Sequence, residues 1–241
     1  RRLQRGTLLG WSAGFLTAGL VFGGLADGAA EVVGGNERTR RIIERMGGQS
    51  GLTDAFLAAM AGLLGMAAAL FAVSCVLRLH GEETSQRAEP LLANAVSRLR
   101  WAGGHLCVAF GGSALILLLA GLGLGLGHHG GGGGLAATVG ACLAQLPAVW
   151  AVGALAVLLY GAAPRYAVAA WAVAGAALAL GWLGPALGLP QAVMDLSPFA
   201  HLPKLPGPGA WDLVPSLVLT ALAAALTAAG LAALRRRDLA A

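Results

Sequence analysis

Uncharged apolar runs of membrane-crossing length alternate along this chain with short clusters of charge. A helix needs roughly 20 mostly apolar residues to cross the hydrocarbon of a bilayer. Six runs meet that length, at about 7–25, 55–77, 101–126, 135–161, 166–187 and 213–234. The third and fourth come from one uncharged stretch between Arg100 and Arg165, too long for one span, which His128, His129 and the glycines at 130–134 divide. No run has the alternating pattern of a membrane strand, about ten residues long. Backbone groups in lipid must be satisfied within their own segment, so each run is expected to be a helix, in keeping with its Ala and Leu content. The expected fold is all-α: one polytopic transmembrane domain over residues 1–241, a bundle of six helices.

The connections differ in character. Residues 27–50 are polar and mixed in charge; Ile42, Ile43 and Met46 make an apolar stripe beside Arg38, Arg41 and Arg45, suited to the membrane surface. Residues 78–100 are the most charged connection, and 162–165 a short turn. Residues 188–212 carry Pro190, Pro198, Pro203, Pro206 and Pro208, a density that forbids a regular helix. With Phe199, Leu202 and Trp211 they read either as a segment dipping back to cap the bundle or as an exposed linker.

Composition and charge narrow the class. Only 11% of the 241 residues are charged, against about 25% in soluble domains. The formal net charge of +5 does not signal nucleic acid, because the basic residues flank spans instead of forming a face. With six spans both ends lie on one side. That side holds Arg1, Arg2, Arg5, Arg78, Arg87, Arg98, Arg100, Arg165, Arg235, Arg236 and Arg237; the other holds Arg38, Arg40, Arg41, Arg45 and Lys204. The imbalance places both termini of the segment in the cytoplasm and the protein in the cell membrane. The chain opens on Arg1 without a methionine, and we expect a longer protein lacking its N-terminal part here. Cys75, Cys107 and Cys142 sit inside apolar runs without pairing spacing and read as small buried hydrophobes.

Much chemistry is missing. There is no phosphate-binding G-x-x-x-x-G-K-[ST] loop, and the one lysine is Lys204. There is no H-E-x-x-H zinc motif. Ser113 lies in the third run, but no histidine stands at matching depth in another run, so an intramembrane hydrolase lacks its base. His105 is near a span end, His80 in the charged connection, and His128, His129 and His201 in loops, so haem ligation is also excluded. The His128–His129 pair reads as incidental to a low-complexity turn. No charge occupies the middle of a run, which argues against a proton relay through these helices and places the energy source outside the chain. We expect no catalytic residue, metal or cofactor on it.

Three features remain. In 78–100, Glu82, Glu83 and Arg87 stand at helical pairing distances, Glu83 to Arg87 at i,i+4. Glu89–Pro90 then starts a short helix with an apolar stripe of Leu91, Leu92 and Val96. Such a helix either docks in a partner's groove or lays its leucines on the membrane surface. Gln145 and Pro147 in the fourth run mark a kink, with Gln145 satisfying the freed backbone or lining a substrate path. Gly10/Gly14 and Gly19/Gly23 form two G-x-x-x-G pairs, read as helix packing.

These segments carry a resemblance. The stretch E-E-T-x-x-R-A-E-P-L-L-A-x-x-V-S-R from Glu82 to Arg98 resembles permease subunits of type-2 ABC exporters, nearest to the subgroup that exports polyketide antibiotics such as tetronasin. So do Leu52-Thr53-Asp54-Ala55-Phe56, Ala144-Gln145-Leu146-Pro147-Ala148-Val149-Trp150, Asp195-Leu196-Ser197-Pro198-Phe199-Ala200-His201 and the closing Arg235-Arg236-Arg237-Asp238. The resemblance implies a long chain of two six-helix halves, of which this is the second. It implies a cytoplasmic coupling helix within 78–100, with Glu82, Glu83, Arg87, Glu89, Leu91, Leu92 and Arg98 facing a separate ATP-binding cassette ATPase that holds ATP and Mg. It implies a re-entrant outer segment and export of a hydrophobic small molecule between the halves. A membrane scaffold or assembly subunit without transport is the alternative.

Overall fold

The computed structural model describes residues 2–34, 48–85, 98–128, 133–184, 187–206 and 213–236. Every regular element among them is helical. In chain order they are α1 (Arg2–Gly34), α2 (Gly48–Thr84), α3 (Arg98–Gly127), α4 (Gly133–Leu143), α5 (Leu146–Ala162), a 3-10 turn at Pro164–Tyr166, α6 (Ala169–Leu183), the single turn α7 (Gln191–Met194), a second 3-10 turn at Pro198–His201, and α8 (Val214–Arg236). The stripe at Ile42, Ile43 and Met46 and the turn at His129 lie outside the described residues.

Among the described residues, five segments are long and apolar enough to cross a membrane: Gly6–Ala26, Thr53–Thr84, Leu99–Gly127, Gly134–Ala162 and Val214–Arg236. The α2 helix has 37 residues, about 55 Å of helix against a hydrocarbon core of about 30 Å, so it extends beyond the lipid. The fifth expected span, 166–187, is a shorter helix. Only Ala169–Leu183 is α-helix there, 15 residues, or about 22 Å. Pro164 opens a 3-10 turn before it, and the sequence Gly184–Pro185 follows its end. Proline blocks helical continuation on the N-terminal side of its own position, so Pro185 in the sequence accounts for the helix's stop.

The described residues form two compact units. The first draws on 1–65, 114–146 and 202–212. Its α1 and α3 meet backbone to backbone. A Cβ on Gly19 would run into the Ala120 carbonyl, and one on Gly23 into that of Leu124; reciprocally, one on Gly123 would strike the Leu16 carbonyl and one on Gly127 that of Leu20. Of the two G-x-x-x-G pairs on α1, only Gly19/Gly23 makes this contact, against a matching Gly123/Gly127 pair on α3. A Cβ on Gly10 or Gly14 would meet nothing within 4 Å. The α4 helix joins through Thr138, whose buried hydroxyl bonds the Gly121 carbonyl at 3.0 Å.

The second unit draws on 66–113, 147–201 and 213–241. Here α5 and α8 touch at Gly161 and Gly230, where a Cβ on either would enter the other helix's backbone. Farther along, Ala151, Ala154 and Ala223 pack with Phe110, Trp150, Leu219 and Leu226. Part of the proline-rich segment also belongs to this unit, where it folds back on α6 and α8. Ser197, fully buried, donates to the Ala177 carbonyl at 3.0 Å and anchors that fold-back on α6.

The glycine contacts separate two outcomes. Gly23→Ala and Gly127→Ala should each destabilise the protein by about 1–3 kcal/mol, because the obstructing atoms are backbone. Gly10→Ala and Gly14→Ala should be neutral or stabilising by up to about 1 kcal/mol from helix propensity. Thermal unfolding of the purified protein in detergent reads the difference.

Candidate functional site

The second unit collects the basic ends of its helices. Leu79 of α2, Trp101 and Ala102 of α3, Tyr160 of α5, Leu234 of α8 and Ala167, just after the first 3-10 turn, form one buried cluster, with Leu77 and Leu231 packed against it. Arg78, Arg100, Arg165, Arg235 and Arg236 adjoin these residues in sequence. The Arg165 guanidinium lies 4.7 Å from the centre of the Tyr166 ring, a cation–π contact.

Two adjacent carboxylates belong to this end. Successive helical residues point about 100° apart, so Glu82 and Glu83 in the last turn of α2 reach different neighbours. Glu83, only 7% exposed, accepts a 2.7 Å hydrogen bond from the Tyr160 hydroxyl of α5. Glu82 turns to α3: its Oε2 accepts from Trp101 Nε1 at 3.3 Å and stands 3.2 Å from His105 Nε2. The Trp101 and His105 rings meet edge to face with centroids 5.8 Å apart, and His80 meets Tyr160 likewise at 6.3 Å. A buried carboxylate is costly unless hydrogen-bonded, and each bond to a charged group contributes about 1.5–3 kcal/mol. The end of α2 is further closed by Ser85 Oγ donating to the Gly81 carbonyl at 2.6 Å and Thr84 Oγ1 to that of His80 at 3.0 Å.

The other expected residues are placed as follows. Arg87, Glu89, Leu91 and Leu92 lie outside the described residues, and Arg98 is the first residue of α3. Gln145, 6% exposed, sits in the turn between α4 and α5, and Pro147 is the second residue of α5. The fourth span is thus interrupted by a turn, with proline in the first turn of the new helix, where its missing N–H costs nothing. Gly65 leaves the space that Gln145 fills: a Cβ there would stand 2.7 Å from Gln145 Cβ and Cγ.

Ser113 has a structural task. Its hydroxyl donates to the Phe110 carbonyl at 2.8 Å and accepts from Trp150 Nε1 at 3.2 Å, in a fully buried position. Trp150 also stacks edge-on against Phe110. Among the described residues no three His, Cys, Asp or Glu come together as metal ligands.

Residues 1–235 match the family described as multidrug efflux system permease Rv1217c, C-terminal domain. The chain belongs to this family. It is similar to the multidrug efflux system permease protein Rv1217c of Mycobacterium tuberculosis (strain ATCC 25618 / H37Rv), with 46% identity over 98% of the chain and 44% of the relative. The chain therefore spans less than half the length of the curated relative it matches. Membership joins the five apolar helices in describing a multi-pass permease domain of the membrane.

Within this permease domain, sequence reasoning found Glu82 and Glu83 but not their partners. Trp101, His105 and Tyr160 each lie near a predicted span end, and that common depth was the one signal available. Ser113→Ala should cost about 1 kcal/mol, the worth of an ordinary hydrogen bond. Thermal unfolding beside wild type checks this; a loss of folded protein would mean that the hydroxyl holds more than Trp150 and Phe110.

Proposed function

We propose that this domain is the C-terminal half of the permease subunit of an ATP-driven exporter of hydrophobic compounds. The observation that carries the reading is the match over residues 1–235 to the C-terminal domain of a multidrug efflux permease. The chain has no phosphate-binding loop, so ATP and Mg belong to a separate ATP-binding cassette subunit. Segment 86–97, bounded in sequence by α2 and α3, is its proposed contact: the spacing of Leu91, Leu92 and Val96 in the sequence suits an apolar stripe that docks in a groove of the ATPase. The excess of arginine around this segment and at both ends supports a cytoplasmic placement. ATP-driven closure of the ATPases moves the segment, and helices follow as rigid bodies. The cargo leaves between this half and the other half of the permease; the polyketide-antibiotic subgroup is its proposed class.

Purification of the full-length permease with its candidate ATP-binding subunit tests this. The wild type should retain the ATPase, and Leu91→Asp with Leu92→Asp should lose it while the permease remains folded. A wild-type permease that retains no ATPase in detergent or nanodiscs would replace the exporter reading with a membrane scaffold.

A further inference from the structure

Two of the residues expected to face the ATPase are bonded to neighbouring helices. Glu83 is buried against Tyr160, and Glu82 is occupied by Trp101 and His105. These contacts tie the last turn of α2 to the start of α3 and the end of α5, the two helix ends that bound segment 86–97 included. The Leu79–Trp101–Tyr160–Leu234 cluster extends the tie to α8. An apolar cluster alone would hold such an end together, and neither a buried carboxylate such as Glu83 nor a part-exposed one such as Glu82 contributes much net stability. What they supply is a directional, single geometry: Glu83 fixes the distance to α5, and Glu82 fixes the rotation of α3.

We propose that Glu82 and Glu83 are positioning residues that lock both roots of segment 86–97 to α5, so that motion of the segment is delivered to α2, α3 and α5 together. The proposal rests on the exporter reading given above. It assigns the two glutamates an internal role and leaves the ATPase contact to the segment's apolar stripe. The Tyr160 hydroxyl bonds Glu83, so Tyr160→Phe removes that hydrogen bond and keeps the ring in the cluster.

The test uses the full-length permease reconstituted with its ATPase subunit in proteoliposomes, with hydrophobic dye export and ATP hydrolysis measured in parallel. Tyr160→Phe and Glu83→Ala should keep the ATPase bound and its KM for ATP unchanged, while dye exported per ATP falls about tenfold, within the usual range of coupling between sites. Glu83→Gln retains a carbonyl oxygen to accept the tyrosine proton and should restore most of the export. Normal export per ATP in Tyr160→Phe and Glu83→Ala overturns the proposal, as does release of the ATPase by Glu83→Ala and Glu83→Gln alike, which would make Glu83 a direct partner contact. A wild-type permease that binds no ATPase overturns the exporter reading and this proposal together.

Discussion

Lipid offers no hydrogen bonds, and that one constraint organises the chain. Every backbone group in the hydrocarbon must be paired inside its own helix. Side-chain hydroxyls in the spans follow the same rule: Ser74 bonds the Phe71 carbonyl at 2.7 Å and Thr220 that of Ser216 at 2.8 Å. With hydrophobic burial no longer distinguishing one apolar surface from another, helices associate by fit. Gly19 and Gly23 on α1, Gly123 and Gly127 on α3, and Gly161 with Gly230 on α5 and α8 supply that fit by bringing backbones into contact. Large exposed side chains such as Leu9, Val21, Leu217 and Val218 then face lipid at no cost.

The basic end of the second unit obeys different physics. Near the interface, charged groups keep access to water, and α2 is long enough to carry Glu82 and Glu83 past the apolar run that ends at Leu77. There Glu83 is withdrawn from solvent and Glu82 is partly so. They are used between helices, with Tyr160, Trp101 and His105 as partners. In the exporter reading proposed above, work arrives through this end, and a rigid junction at the roots of the connecting segment is what such delivery requires.

Periodicity and charge were enough for the class of fold, because twenty uncharged residues leave a chain few alternatives. The fifth run forms a shorter helix for a local reason. Residues 166–187 have the composition of a span, but the α-helix covers only Ala169–Leu183 and stops just before the Gly184–Pro185 pair. Glycine spacing marked two candidate seams on α1, and spacing alone could not choose between Gly10/Gly14 and Gly19/Gly23. The choice is made on α3, by the facing pair Gly123/Gly127, about a hundred residues away. The same limit hid the glutamate junction. Glu83 to Arg87 is a short-range pairing visible in sequence, whereas Tyr160 reaches Glu83 from 77 residues away and becomes a neighbour only when α2 and α5 are packed.

The central claim is that segment 86–97 and the glutamate junction face the compartment that holds ATP. Its most direct measurement is the side of the membrane on which Ser85, exposed at the end of α2, resides. In full-length permease freed of Cys75, Cys107 and Cys142, Ser85→Cys is exposed to a membrane-impermeant maleimide. The account predicts no labelling in intact cells and full labelling once the membrane is opened. Labelling of intact cells would put the junction outside, beyond the reach of any cytoplasmic ATPase, and would contradict it.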